Sequence, residues 1–253
     1  MPKFFYGIIL AILTIVVLFI FTKPLQESPD STDELLSEEL LSEIPTEDTA
    51  NISYPIIVLD AGHGGMDPGK VGINNALEKD INLSIVLKLK KLLEKEGFQV
   101  SLTRTSDQLL AAPNSTSQKK DDMIARIEMV KQLDPYFTIS IHQNSFPDSS
   151  VSGPQVFYYK DSIESATMAQ VLQDILNNQL EPAKKRSPQA NTNYYLLTRT
   201  PTPTVIVECG FLSNQAEADL LIQEDYQSRV AHAIYLGILA YYEASTSTQI
   251  SSE

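Results

Sequence analysis

Short apolar runs alternate with amphipathic helical patterns from residue 56 onwards, and this alternation constrains the fold more than any other feature. The run 56–60 predicts a buried strand, and a stripe of leucines and isoleucines across 80–96 predicts the next helix, with Gly97 as its C-terminal cap. Strands separated by long helices form mainly parallel sheets that are covered on both faces. We therefore expect an α/β domain.

The rest of the chain continues this pattern. Further strands are predicted at 98–103, 136–141, 155–159, 194–197 and 205–208, and further helices at 121–133, 163–180 and, as one or two elements, 215–242. The segment 105–118 is rich in Ser, Asn, Pro and Gln, which is typical of a surface loop. The sequence thus predicts a single α/β domain with a mainly parallel, mixed sheet of about six strands, flanked by helices on both faces.

An uncharged apolar run at residues 4–21 precedes this domain. It has 18 residues (21 − 4 + 1), and a membrane-spanning helix needs about 17 to 25. A cleaved signal peptide would end in small residues, whereas this run passes into TKPLQESP, and a lipid anchor would need a cysteine there, whereas the only cysteine is Cys209. We therefore predict that residues 1–24 form a transmembrane helix and membrane anchor, with an uncleaved signal as the other interpretation.

Residues 25–52 predict an acidic, disordered linker. Nine acidic residues and no lysine or arginine lie between positions 27 and 48, so this segment repels itself. Leucines recur at helical spacing in DELLSEELLSEI, so a short amphipathic helix is an alternative interpretation of this segment. Because the acidic stretch is easiest to place on the extracytoplasmic side of the membrane, we expect the folded domain, 53–244, to be extracytoplasmic. Residues 245–253 are predicted to form a disordered tail.

The charge of the chain argues against a nucleic-acid partner, and its cysteine content excludes an intramolecular disulfide. The formal net charge is −13, and from residue 51 onwards 17 basic side chains stand against 23 acidic ones. Nucleic acids bind clustered basic side chains, so we expect no nucleic-acid partner. One cysteine cannot form an intramolecular disulfide, so the core must stabilise the domain, with help from a metal ion as an option.

Polar side chains stand where predicted strands end. His63 and His142 follow the strands at 56–60 and 136–141, and Glu78 opens the first helical pattern. The carboxyl ends of parallel strands gather at one edge of an open sheet, where sites form. Two histidines and a carboxylate with one open position are a donor set of catalytic zinc sites. We therefore predict that His63, Glu78 and His142 bind one Zn²⁺ ion per chain.

Each of these residues also has a plainer interpretation. A lone histidine at a strand end is more often a hydrogen-bonded structural residue than a ligand, and the spacing of these residues is less diagnostic than H-E-x-x-H. Glu78 could simply be a carboxylate favoured at a helix N-terminus. His232 lies in a helical pattern away from any loop, and we interpret it as structural.

Glu208 is harder to explain as a structural residue. It ends the apolar run TVIV, where an isolated carboxylate is costly unless it is paired or near a cation. We predict that Glu208 is the catalytic general base. Because side chains alternate along a strand, Cys209 should face the opposite side and pack as a small apolar residue.

Three further residues are predicted around this site. Asn144 should share a face with His142 and is a candidate for substrate binding. Asp60 and Asp67 are candidates for turn residues or for carboxylates that accept the second N–H of a ligating imidazole.

Four segments of the chain together resemble a known enzyme family. They are similar, in order and spacing, to the signature segments of the zinc-dependent N-acetylmuramoyl-L-alanine amidases, and they read IVLDAGHGGMDPG, LEKDINL, TISIHQN and VIVECGFLSN. The resemblance covers about residues 55–243 and is strongest to the germination-specific, CwlD-like amidases of spore-forming bacteria, through GPQVFYYK, NYYLLTRT and AIYLGILAYY. Gln143 departs from the family pattern, since a small residue usually stands between the histidine and the asparagine.

The resemblance implies a function as well as a site. It implies hydrolysis of the amide between the lactyl group of muramic acid and L-alanine in peptidoglycan, in the spore cortex, with zinc on His63, Glu78 and His142 and with Glu208 as the catalytic residue. The domain would then face the intermembrane or cortex space of the developing spore, where timing of synthesis or an accessory protein controls it. Two alternatives stay open at this point: a zinc carboxypeptidase that cuts within the stem peptide, and a catalytically silent wall-binding module.

Overall fold

A six-stranded mixed sheet organises the computed structural model, which describes residues 54–250 of the chain. Its strands are β1 Ile56–Ala61, β2 Gln99–Leu102, β3 Phe137–Asn144, β4 Gln155–Tyr159, β5 Gln189–Asn191 and β6 Thr204–Phe211. Its helices are α1 Glu78–Lys95, α2 Gln118–Leu133, α3 Ile163–Gln179, α4 Tyr195–Arg199, α5 Gln215–Leu221 and α6 Glu224–Ile250.

The strands lie in the order β2-β1-β3-β6-β4-β5. Neighbouring strands are parallel except for β4 and β6, which pair antiparallel. The centre of the sheet, β1, β3 and β6, is therefore parallel, and its carboxyl ends meet at one edge. In the register of β3 and β6, His142 lies directly opposite Glu208.

The two faces of the sheet differ in what they bury. Alternate residues of the central strands, such as Leu59, Ile139 and Val207, join the main core with α1, α3 and α6. The intervening residues face α2 and α4, where a small apolar cluster of Phe157, Leu197 and Ile206 lies beside polar side chains. The catalytic candidates on β3 and β6 therefore lie on the polar face, as strand alternation requires.

The predicted α/β architecture is confirmed, with corrections to individual elements. The strand predicted at 194–197 is wrong, because this segment forms the short helix α4. The side-chain oxygen of Asn191 accepts the backbone N–H groups of Asn193 and Tyr194, which turns the chain into that helix. The three-residue strand β5 was not predicted, and α6 continues to Ile250, beyond the predicted start of a disordered tail at 245.

The predicted membrane anchor at 1–24 and the acidic linker at 25–52 lie outside the described residues, as do residues 251–253. Within residues 54–250, no helix is both long enough and apolar enough to cross a membrane.

A buried ion-pair network joins β1 to α2. Arg126 is 1% exposed and donates from Nη1 to Asp60 Oδ1 at 2.5 Å and from Nε to Asp122 Oδ2 at 2.7 Å. Ser140 and Thr103 also donate to Asp60. Burial alone would raise the pKa of Asp60, but the charge of Arg126 and these hydrogen bonds hold it at about 2. Asp60 is therefore a structural anion that fixes α2 against the sheet.

We expect Asp60→Asn to lower the free energy of unfolding by about 3 kcal/mol at neutral pH, because it removes one partner of a buried pair. Since the folded-state pKa of Asp60 lies below its ordinary value of 3.8, the pair stabilises fully above about pH 4 and its contribution is lost as the pH falls towards about 2. Denaturant unfolding at several pH values measures both effects. Glu128→Gln, at an exposed position of α2, is the matched control and should change the free energy by less than about 0.5 kcal/mol. Equal losses in the two variants would contradict the role of Asp60.

Candidate active site

Three chain segments bring the predicted metal ligands together. His63 lies two residues after β1, Glu78 is the first residue of α1, and His142 lies in β3. One ligand atom from each of these side chains lies within 4.8 Å of the others. Two imidazoles and a carboxylate form the donor set of catalytic metal sites that keep one position open. The three side chains can therefore hold a metal ion together.

The contacts within this cluster define which atoms face one another. His142 Nδ1 lies 2.8 Å from Glu78 Oε1, and His63 Nε2 lies 3.3 Å from the same oxygen. His63 Nδ1 lies 2.7 Å from Asp67 Oδ2, so this carboxylate orients the ring and directs Nε2 inward. Lys119 in turn pairs with Asp67 Oδ1 at 2.6 Å. Asp67 thus contacts an imidazole as predicted.

The glycines around His63 allow this close approach. A Cβ on Gly62 would lie 2.2 Å from an atom of the His142 ring. Gly69 has a φ of +69°, and a Cβ there would lie 2.5 Å from Glu78 Oε2. His63 itself has a φ of 62°, a left-handed conformation that costs a non-glycine residue on the order of 1 kcal/mol. The loop between β1 and α1 can therefore wrap around the cluster only with glycine at these positions.

Hydrogen bonds keep Glu78 ionised although it is buried. Burial alone would raise the pKa of Glu78, but its hydrogen bonds with His142 and His63 and the charges of these rings hold the pKa well below its usual range. Burial alone would lower the pKa of His142, but the hydrogen bond with Glu78 and the charges of Glu78 and Glu208 raise it to about 9. The cluster is therefore built around an anion that attracts a cation.

Glu78 is held by donors that sequence reasoning missed. Its Oε2 accepts the backbone N–H of Lys70 at 2.7 Å, and its Oε1 accepts that of Gln143 at 3.1 Å. The amide of Asn82 lies one helical turn after Glu78 and donates to Oε1 at 3.4 Å. Gln143 Nε2 donates to Asn82 Oδ1 at 3.1 Å and so orients that amide. The i, i+4 spacing of Glu78 and Asn82 was the available sequence signal.

Glu208 lies beside the cluster and differs from Glu78 in its surroundings. It is 7% exposed, and its Oε2 has no hydrogen-bond partner among the described residues. Burial raises the pKa of Glu208 to about 7, against the opposing charge of His142. A carboxylate with this pKa can take up and release a proton near neutral pH.

A cavity of about 410 Å³ joins Glu208 to the three metal-ligand candidates. Asn144 lines the same cavity, and its Oδ1 accepts the backbone N–H of Ser145. Its predicted contact with substrate stays a prediction. Tyr194 and Tyr195 also line the cavity and were missed, because their segment was assigned to a strand rather than to the start of α4.

The structure also shows where three other residues of the sequence analysis lie. Asp60 was predicted as a turn residue or as an acceptor for a ligating imidazole, and the second alternative is wrong, because its hydrogen bonds go to Thr103, Ser140 and Arg126. Cys209 is fully buried in the main core on the other face of the sheet, as predicted. His232 is exposed on α6, away from the cavity.

A cavity lined by a candidate metal site and by a further buried carboxylate is the arrangement of a metal-assisted hydrolase. A family model described as N-acetylmuramoyl-L-alanine amidase matches residues 57–240. The chain belongs to this family and is an enzyme of that class.

Individual relatives agree with this assignment. The germination-specific N-acetylmuramoyl-L-alanine amidase of Bacillus subtilis is 38% identical over 195 residues, which cover 76% of this chain and 81% of that protein. The structure of the CwlD amidase from Clostridioides difficile, in complex with the GerS lipoprotein, is similar with a TM-score of 0.73 and 38% identity, over 75% of this chain and 99% of that one. The catalytic domain of CwlV from Bacillus (Paenibacillus) polymyxa has a TM-score of 0.66 and 31% identity, over 74% of this chain and 98% of that one.

We expect Asn82→Ala to weaken binding of a divalent transition-metal ion about 10- to 100-fold, because Glu78 loses a donor that orients it. Competition with a chromophoric chelator measures this affinity. Asn177→Ala is the matched control, since Asn177 is another buried helical asparagine, whose amide donates to Arg186 O, and neither residue lines the cavity. Both variants should lose stability, but only Asn82→Ala should lose metal affinity. Equal affinity in the two variants would contradict the positioning role of Asn82.

Proposed function

We propose that this chain is a zinc-dependent amidase that hydrolyses the amide between the lactyl group of muramic acid and L-alanine in peptidoglycan. Membership of the family supports the bond and the substrate. The cluster of His63, Glu78 and His142 supports one Zn²⁺ ion per chain, because zinc is well suited to two imidazoles and a carboxylate with an open position.

Glu208 is the general base of this proposal. When bound, zinc supplies a positive charge that polarises the carbonyl and lowers the pKa of a water molecule from about 15.7 towards about 7. Glu208 accepts the proton of the attacking water and returns it to the departing nitrogen of alanine. One observation carries this role: Glu208 Oε2 is buried at the cavity without a hydrogen-bond partner among the described residues, directly across the strand pair from His142.

The biological setting of the proposal is the spore cortex. The similarity to a germination-specific amidase supports this setting. Cleavage releases a stem peptide and leaves a peptide-free glycan, which is the precursor of muramic lactam. The complex of the Clostridioides difficile relative with a lipoprotein supports an accessory protein for this chain as well. The apolar run at 4–21 supports a membrane anchor with the catalytic domain on the extracytoplasmic side.

We expect Glu208→Gln to lower kcat about 10²- to 10⁴-fold, because the amide cannot accept the proton of water. The variant should keep its fold and its metal content, which circular dichroism and metal analysis measure. Glu217→Gln serves as control: Glu217 is a partly buried carboxylate of α5 that accepts backbone N–H groups outside the cavity. It should lose stability but keep turnover. Full activity of Glu208→Gln would refute the assignment.

Metal removal tests the other half of the proposal. Incubation with a chelator, or the substitution His142→Ala, should abolish release of stem peptides from purified peptidoglycan, and added Zn²⁺ should restore activity only to the chelated wild-type protein. Mass spectrometry of the products identifies the new ends. Muramic acid without a peptide supports the proposal, whereas a new end inside the stem peptide would indicate the carboxypeptidase, and metal-independent release would exclude the zinc mechanism.

A further inference from the structure

Lys70 differs from the other charged residues of the cavity. The cavity is lined by the carboxylates Glu78 and Glu208 and by two histidines, and Lys70 is the one lysine or arginine among the lining residues within the described part of the chain. Lys70 therefore brings a positive charge to the same cavity as Glu208. A positive side chain in a cavity with low-dielectric walls attracts anionic groups of a ligand.

The backbone of Lys70 is fixed to the metal-ligand cluster. Its N–H donates to Glu78 Oε2 at 2.7 Å, and its carbonyl accepts the backbone N–H of Glu78 at 3.0 Å. The next residue, Val71, forms a β-bridge with Leu77. The backbone of Lys70 is therefore held directly beside Glu78, one of the metal-ligand candidates.

The ammonium group of Lys70, in contrast, is free. Within residues 54–250, Nζ makes no hydrogen bond or ion pair, and the side chain is exposed. Other lysines near the site are already paired: Lys79 with Asp107 at 2.6 Å and Lys119 with Asp67 at 2.6 Å. Among the described residues, Lys70 is thus a cation without an ion-pair partner.

The substrate can supply this counter-charge on only one side of the scissile amide. N-acetylated sugars are neutral, so the glycan side offers no anion next to the bond. The peptide side offers the α-carboxylate of the residue that follows L-alanine, wherever that residue is a γ-linked glutamate with a free carboxyl group. A lysine ammonium on a flexible four-carbon stem can follow such a group over several positions.

We propose that Lys70 Nζ binds this free α-carboxylate and makes the enzyme prefer stem peptides in which it is not amidated. Lys70 is then a specificity-determining residue of the peptide side of the cavity. This inference rests on the proposed amidase function, since it assumes that the bond between muramic acid and L-alanine is the one cleaved.

The test compares two soluble muramoyl tripeptides that differ in one group. In both, the second residue is γ-linked glutamate, the third residue is neutral and the C-terminus is amidated. The α-carboxyl group of the second residue is free in one and amidated in the other. The quantity measured is the ratio of kcat/KM for the free substrate to kcat/KM for the amidated one, using the full zinc-loaded chain. Because any effect of Lys70 on Glu208 acts on both substrates, it cancels in this ratio.

We expect the wild-type ratio to be about two to five, the value for one solvent-exposed ion pair. Lys70→Met should bring the ratio to about one, and Lys70→Arg should keep most of the preference. Lys160→Met is the matched control, because Lys160 is also exposed but lies outside the cavity, and it should leave the ratio unchanged.

Four results would overturn the inference. A wild-type ratio near one with active enzyme, or a preference that persists in Lys70→Met, would refute the role of Lys70 and leave the amidase function standing. Failure to cleave either substrate between muramic acid and L-alanine, or cleavage within the peptide, would refute the proposed function and with it this inference.

Discussion

The site depends on the burial of one ionised carboxylate, that of Glu78. Removing such a group from water costs several kcal/mol unless donors replace the lost hydration. Here the backbone N–H of Lys70 serves one oxygen, and the backbone N–H of Gln143 and the amide of Asn82 serve the other. These donors come from the loop after β1, from β3 and from α1. The carboxylate that can bind a metal ion therefore also joins three parts of the fold.

Two buried arginines make the surrounding loop possible. Arg104 donates to the carbonyl oxygens of Ala61 and Gly62, and Arg126 donates to those of Ala61 and His63. An irregular loop that is folded inward would otherwise leave these carbonyl groups without partners, which is costly. The position of His63 is thus fixed by Arg126, which donates to its carbonyl oxygen, and by the carboxylate of Asp67, which contacts its ring. The conformation of this loop therefore depends on these polar contacts as well as on the apolar core.

The sequence predicted the site better than the framework around it. His142, Glu208 and Cys209 could be assigned to faces because burial and strand alternation determine side-chain direction without knowledge of the fold. Partners distant in sequence could not be predicted in this way. Asp60 was predicted as a turn residue or as an acceptor for a ligating imidazole, whereas its charged partner is Arg126, which lies on α2, 66 residues further along the chain. The sequence shows that Gln143 departs from the family pattern. Its hydrogen bond to Asn82 could not be predicted, because it depends on which face of α1 packs against β3.

Glu78 and Glu208 line one cavity, yet their pKa values shift in opposite directions. Burial raises the pKa of both, but Glu78 is hydrogen-bonded to His142 and His63 and feels their charges, whereas Glu208 Oε2 has no hydrogen-bond partner among the described residues. Glu78 begins a helix, next to an irregular loop with free backbone N–H groups. Glu208 lies within β6, paired with His142 on one side and Gln155 on the other, so the sheet already uses the neighbouring backbone donors. Placing one carboxylate at a helix N-terminus and the other inside a central strand gives the same cavity a permanent anion and a proton acceptor.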